Sequence, residues 1–231
     1  MADSEEVLKQ LALPDDVEII GIVVNEKGAE RAIATGRVMT LGYPCSNSET
    51  FLRRNQNQSL QENLEILHSI KRCADECKVG MVAYVSMAFG NPYGDPWNEP
   101  EIRKTVAQIT ALGVEQISLA DTVGVATPEL IRRVVRSIME DCRDIEIGVH
   151  LHGTRADAAA KVLAAYDAGC RRFDSAIGGL GGCPFAQDAL VGNIPTETVL
   201  NALAERDVDL PPLGKLETVS AITAQISSRF A

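Results

Sequence analysis

Apolar and polar positions along the chain fall into two alternating kinds of segment. Short runs rich in β-branched residues, namely "VEIIGIVV" (17–24), "VGMVAYVSMAFG" (79–90), "VEQISLAD" (114–121), "IEIGVHLH" (145–152) and "RRFDSAI" (171–177), predict strands. "RVMTLGYP" (37–44) predicts a weaker one. Between them lie longer amphipathic stretches of helical period: 27–36, 59–78, 100–113, 127–141 and 156–169. The 59–78 stretch opens with Ser59 and has Glu62 three residues on, a capping box, and its Leu64, Leu67, Ile70 and Ala74 recur at helical spacing. The 100–113 stretch carries Pro at its start and Gly at its end.

Strand–helix alternation at this spacing predicts βα units and a parallel sheet. A doubly wound sheet announces its nucleotide site by a Gly-rich turn after the first strand, and "VVNEKGAERA" (23–32) has none. Polar residues gather instead just past the C-terminal ends of several strands: Asn25, Ser86, Asp121, His150, His152 and Asn193. That distribution matches the active face of a (β/α)₈ TIM-type barrel, although the pattern yields about six of the eight βα units. Neither a linker nor a low-complexity tract interrupts residues 1–231, which therefore read as a single domain.

Composition changes this picture only at its margins. Hydrophobic residues at 45% and charged residues at 23% suit an ordinary soluble globular protein, and no apolar run reaches the ~18 residues of a membrane span. The N-terminal "MADSEEVLKQL" lacks signal-peptide character, so the expected compartment is the cytoplasm, with no membrane partner. A net charge of −10 argues against a nucleic-acid partner, whose phosphates need neutralising. The six cysteines form no disulfide framework; Cys73 and Cys77, four apart on a helix, read as small packing residues rather than metal ligands.

Chemistry concentrates between residues 118 and 193. His150 and His152 are two apart at a strand end, so their side chains share one face, inward in a barrel. They suit either a divalent metal or a hydrogen-bonded core pair. Asp121 in "SLADTVG" also ends a strand, as a site residue or a turn former. "GGLGGCPFAQDALVGN" (178–193) holds Cys183 in a glycine-rich loop, where a thiol can reach a substrate, and ends at Asn193, whose amide oxygen suits a hard cation.

"GVHLH", "SLADTVG" and above all "FDSAIGGLGGCPFAQDALVGN" resemble the 3-hydroxy-3-methylglutaryl-CoA lyase family, of the pyruvate carboxyltransferase type. The resemblance extends through "NSETFLRRNQNQSLQEN" and "YVSMAFGNPYGD" to essentially the whole chain. It implies a (β/α)₈ barrel, Mg²⁺ or Mn²⁺ as cofactor, a homo-oligomer of the dimer type, and retro-Claisen cleavage of an acyl-CoA substrate to acetyl-CoA and acetoacetate, the chemistry of leucine degradation and ketone-body metabolism. It further implies metal ligation by His150, His152 and Asn193, proton transfer by Cys183, a substrate-site role for Asp121, and approach of CoA to Asn55. Claisen-type synthases of the isopropylmalate and homocitrate group share the H-x-H motif but carry a different loop in place of "GGLGGCP".

Three departures stand out. Gly153 follows the histidine pair where the family has aspartate ("HDT"), and the spacing from Cys183 to Asn193 is one residue longer. The N-terminal stretch resembles a segment that follows the first two barrel strands, so the family's Arg-Asp and second-strand glutamate motifs have no counterpart. The expectation is an open barrel of six units, poorly active alone or an inactive fragment.

Overall fold

The computed structural model describes residues 3–14, 16–182, 191–210 and 216–230. Six parallel strands form one open sheet in sequence order: β1 (Ile20–Ile22), β2 (Thr40–Ser46), β3 (Gly80–Ser86), β4 (Gln116–Ala120), β5 (Glu146–His150) and β6 (Arg172–Asp174). Each strand pairs in parallel with the next, so among the described residues β1 and β6 are the sheet's edges. The helices are α1 (Ser4–Gln10), α2 (Glu26–Ala34), α3 (Glu49–Gln56), α4 (Leu60–Cys77), α5 (Glu99–Ala111), α6 (Pro128–Asp141), α7 (Ala158–Asp167), α8 (Thr196–Ala204) and α9 (Leu216–Phe230). The α/β alternation is that of an incomplete (β/α)₈ barrel, six strands in extent.

Strand register divides the side chains cleanly. Leu41, Tyr43 and Cys45 on β2, Ala83 and Val85 on β3, Ile117 and Leu119 on β4, and Ile147 and Val149 on β5 share one face and are buried in the main hydrophobic core. The helices cover that face. Leu67, Ile70 and Ala74 of α4, Ile102, Val106 and Ile109 of α5, and Ile131, Val134, Val135 and Ile138 of α6 bury their apolar stripes there. Each such Leu, Ile or Val side chain contributes about 1.5–3 kcal/mol. Tyr84, Ser86, Ser118, His150 and Asp174 occupy the opposite face, which is polar.

Glycines shape that polar face. A Cβ at Gly42 would lie 2.4 Å from Ile22 Cδ1 and 3.0 Å from Tyr84 Cε2, and one at Gly148 would lie 3.0 Å from Arg172 Cγ. Strands of an extended sheet sit about 4.8 Å apart. Yet the Ser118 hydroxyl on β4 reaches the Asp174 carboxylate on β6 at 2.8 Å, across β5. The sheet is therefore concave on this side, and side-chain-free Gly148 leaves the path open.

Several elements differ from their sequence expectation. The weak 37–44 signal is a seven-residue strand, as long as β3, because both its neighbours are in place; 17–24 shortens to three residues at the sheet edge. Helix α4 begins as its capping box requires, with Glu62 N–H donating to Ser59 Oγ and Ser59 N–H donating to the Glu62 carboxylate. Cys73 is half-buried but Cys77 is exposed, so Cys77 does not pack; both are free thiols. Among the described residues no helix is long and apolar enough to cross a membrane.

Candidate active site

The C-terminal ends of β4, β5 and β6 bring three sequence candidates together. His150 is the last residue of β5 and His152 lies two residues on; their rings meet edge-to-face with centroids 5.0 Å apart. Asn193 forms an isolated antiparallel bridge with His152, and its side chain interacts with the His152 imidazole. Asn193 Nδ2 donates to the Leu180 carbonyl at 3.0 Å, which turns its amide oxygen to other use.

The glycine run makes this closure possible. Gly179 has φ of +69°, and a Cβ there would lie 2.9 Å from the Asn193 carbonyl oxygen. Gly182 and Gly192 then bridge the two ends of the loop. Cys183 lies outside the described residues.

Hydrogen bonding sets the state of His152. Its Nδ1 lies 2.9 Å from the Asp121 carbonyl oxygen. A carbonyl only accepts, so Nδ1 carries the hydrogen and Nε2 presents its lone pair. Burial pushes the imidazole below its ordinary pKa range, with His150 adding to that and the Asp121 carbonyl opposing it. His152 is therefore a neutral imidazole near pH 7, the form that ligates metals.

His150 is held differently. Its ring packs edge-on to Tyr84 with centroids 6.2 Å apart, and its Nδ1 is 3.7 Å from Asp174 Oδ2, beyond hydrogen-bond length. Among the described residues that buried Nδ1 has no hydrogen-bond partner; neither do Nδ2 and Oδ1 of Asn47, just past the end of β2. Buried polar atoms are rarely left unsatisfied, and each costs about 1–3 kcal/mol. Both residues lie at the C-terminal ends of strands, His150 beside His152 on β5 and Asn47 at β2 of the same sheet.

Two imidazoles and an amide oxygen form a donor set that suits a borderline or hard divalent cation. Together they are about half of the six ligands such a cation takes. Among the described residues no group of three or more His, Cys, Asp and Glu side chains forms a metal cluster.

Asp121 sits behind the histidines. It is 1% exposed; Oδ1 accepts from Ala126 N–H at 3.1 Å and Oδ2 from Lys161 Nζ at 2.9 Å. Burial raises its carboxyl above the ordinary range, against the pull of the Lys161 ammonium. Its side chain holds the turn through Ala126 N–H, as the turn reading expects, and its other oxygen pairs with Lys161. Asn55 is not part of this group: on α3, it donates to the Phe51 carbonyl and lines a cleft of about 820 Å³ with Asn25, Arg54, Gln58 and Glu62.

Sequence reasoning missed Asp174, Asn47 and Lys161. Asp174 had a usable signal, an acid at the end of a strand in "RRFDSAI". Lys161 had one too, since it interrupts the stripe Ala158, Val162, Ala165 that α7 buries. Gly153, where the family has aspartate, also finds a reason: a Cβ there would meet Asp157 Oδ1 at 2.9 Å. That carboxylate fills the space, accepting from both N–H and Oγ of Thr154.

A family model described as HMGL-like matches residues 2–223. The mitochondrial hydroxymethylglutaryl-CoA lyase of Macaca fascicularis is 33% identical over 203 residues, covering 88% of this chain; the chain spans 62% of that relative's length. The crystal structure of the Bacillus subtilis HMG-CoA lyase superposes with a TM-score of 0.89 at 30% identity, over 99% of this chain and 76% of that one. An HMG-CoA lyase from Acinetobacter baumannii, in complex with coenzyme A and 3-methylmalate, gives 0.82 at 33% identity, over 90% of this chain and 67% of its own.

Proposed function

Because the chain belongs to the HMGL-like family, we propose that it carries the cleavage site of a hydroxymethylglutaryl-CoA lyase, which breaks a carbon–carbon bond of its acyl-CoA substrate to give acetyl-CoA and acetoacetate. The observation that carries this reading is the meeting of His150, His152 and Asn193 at the C-terminal ends of the strands, with His152 fixed as a neutral Nδ1–H imidazole. The relatives named above are lyases, which favours cleavage over the condensation run by related synthases.

His150 and His152 would hold Mg²⁺ or Mn²⁺ through ring nitrogens and Asn193 through its amide oxygen. When bound, the cation supplies Lewis-acid stabilisation of the negative charge that cleavage develops on substrate oxygens. The protein's own contribution is to fix the imidazoles and keep His152 uncharged. Cleavage sends the substrate's tertiary hydroxyl proton to solvent and leaves the electron pair of the broken carbon–carbon bond on the enolate. Cys183, on the strength of the resemblance, donates its thiol proton to that enolate carbon, and the thiolate regains a proton from solvent. Asp174, held by Ser118, faces His150 from the β6 side at 3.7 Å and leaves the His150 Nδ1 free for the cation. Asn55 and the cleft beside α3 are the proposed approach for coenzyme A. Asp121, with both oxygens engaged inside the protein, positions His152 rather than touching substrate.

Acetoacetate release from hydroxymethylglutaryl-CoA by the purified 231-residue chain, with Mg²⁺ or Mn²⁺ and then with a chelator, tests the proposal. Metal-dependent release supports it. Absence of release together with absence of thioester binding overturns it.

A further inference from the structure

Among the described residues Lys161 is the only lysine or arginine that is buried, at 1% exposure on the core side of α7. An ammonium has three N–H donors, and here each has an oxygen. Nζ lies 2.7 Å from the His152 carbonyl, 2.9 Å from Asp121 Oδ2 and 3.1 Å from the Gly124 carbonyl. A fourth oxygen, Asp157 Oδ2, lies at 3.5 Å.

Such an ion is a costly way to fill a helix–sheet interface, because desolvation offsets most of the attraction and an apolar side chain packs as well. Stability alone therefore does not account for it. Its bonds have a different logic: they converge on one residue from two directions. The first grips the His152 backbone at its own carbonyl. The second grips the Asp121 side chain, and the Asp121 backbone carbonyl receives the His152 Nδ1–H. The third, to Gly124, closes the turn that Asp121 also holds through Ala126 N–H. Both the main chain and the ring of His152 are thus referred to one ammonium nitrogen.

We propose that Lys161 is a positioning residue that sets the ring orientation and tautomer of His152. The inference rests on the reading of His152 as a cation ligand and adds what aims it. Partners that orient a ligating histidine typically change metal affinity 10–100-fold when removed, about the size expected here.

Two variants of the full chain test this: Lys161→Met, and Lys161→Met with Asp121→Asn, which leaves no unpaired buried charge and keeps the interface foldable. One readout is the Mn²⁺ dissociation constant, from the electron paramagnetic resonance signal of the free ion. The other is the long-range ¹H–¹⁵N spectrum of ¹⁵N-histidine-labelled, metal-free chain, which reports the His152 tautomer and which a purely structural lysine would not move. The native chain is expected to show a single Nδ1–H tautomer. Both variants are expected to show mixed tautomers and at least tenfold weaker Mn²⁺ binding. If the single variant fails to fold, the double variant decides. A folded variant that keeps the Nδ1–H tautomer, or binds Mn²⁺ within twofold of the native chain, overturns the proposal. If the native chain itself binds no Mn²⁺, the cation reading fails, and the role of Lys161 is decided by the tautomer alone.

Discussion

The Ser118 hydroxyl donates to Asp174 Oδ2 at 2.8 Å from two strands away, and the glycine between them, Gly148, is what leaves the path clear. Gly148 pairs in register with Ser118 on one side and Arg172 on the other. Its missing side chain also lets the Arg172 stem lie across the sheet toward Glu146, where the guanidinium forms an ion pair at 3.2 Å. Gly148→Val should push Arg172 aside, break the Ser118–Asp174 bond and destabilise the chain by about 1–3 kcal/mol, as overpacking does. Urea denaturation of the two proteins checks this; an unchanged midpoint would mean that the concave face yields freely.

The histidine pair should be indispensable for cation binding. His150→Ala and His152→Ala are each expected to weaken Mn²⁺ binding at least tenfold while leaving the circular dichroism spectrum unaltered. Isothermal titration with Mn²⁺ makes the comparison. Equal affinity in either variant would remove that imidazole from the ligand set.

Cys183→Ser separates binding from chemistry. A serine hydroxyl is a far weaker acid than a thiol, so acetoacetate release should collapse by about 10²-fold or more while Mn²⁺ affinity stays unchanged. Full turnover in the serine variant would refute the proton-transfer role.

Asp95 supplies a separate pH signature. Partial burial raises its carboxyl pKa, but Ser48 and Thr50, donating three hydrogen bonds at 2.5–3.0 Å, overcome this and bring it below the ordinary 3.8. In the window between the two values the unfolded chain binds more protons, so stability rises with pH there. The contribution is present above about pH 3.8 and is lost as pH falls through the native value. Asp95→Asn should therefore cost about 1–2 kcal/mol at neutral pH, a deficit that shrinks in acid. Thermal melts of both proteins between pH 3 and pH 7 measure it; a deficit independent of pH would assign the effect to packing.

The capping box of α4 gives a local test. Ser59→Ala removes the acceptor for Glu62 N–H and should cost about 1 kcal/mol, roughly 2–4 °C in melting temperature for a chain of this size. Differential scanning calorimetry decides the matter, and no shift would show that tertiary packing alone sets the start of α4.

The sequence by itself determined the order of the six strands and of α2, α4, α5, α6 and α7, because period-2 and period-3.6 patterns state which face of each segment is apolar. Helices α1, α3, α8 and α9 did not stand out in that pattern. It also located His150, His152 and Asn193, since strand ends and glycine loops are marked by local residue types. The resemblance supplied the reaction those residues are proposed to perform. Tertiary structure alone decided which groups lie behind them. Lys161 stands nine residues from His152 and forty from Asp121, and no local pattern ties those three together. Their convergence arises because α7 packs its core stripe against the sheet and carries one cation into it. The Ser118–Asp174 bond likewise depends on the curvature of three strands at once. Sequence periodicity reports what each segment buries; only the packed fold brings donors to acceptors across segments, and that pairing sets the state of His152.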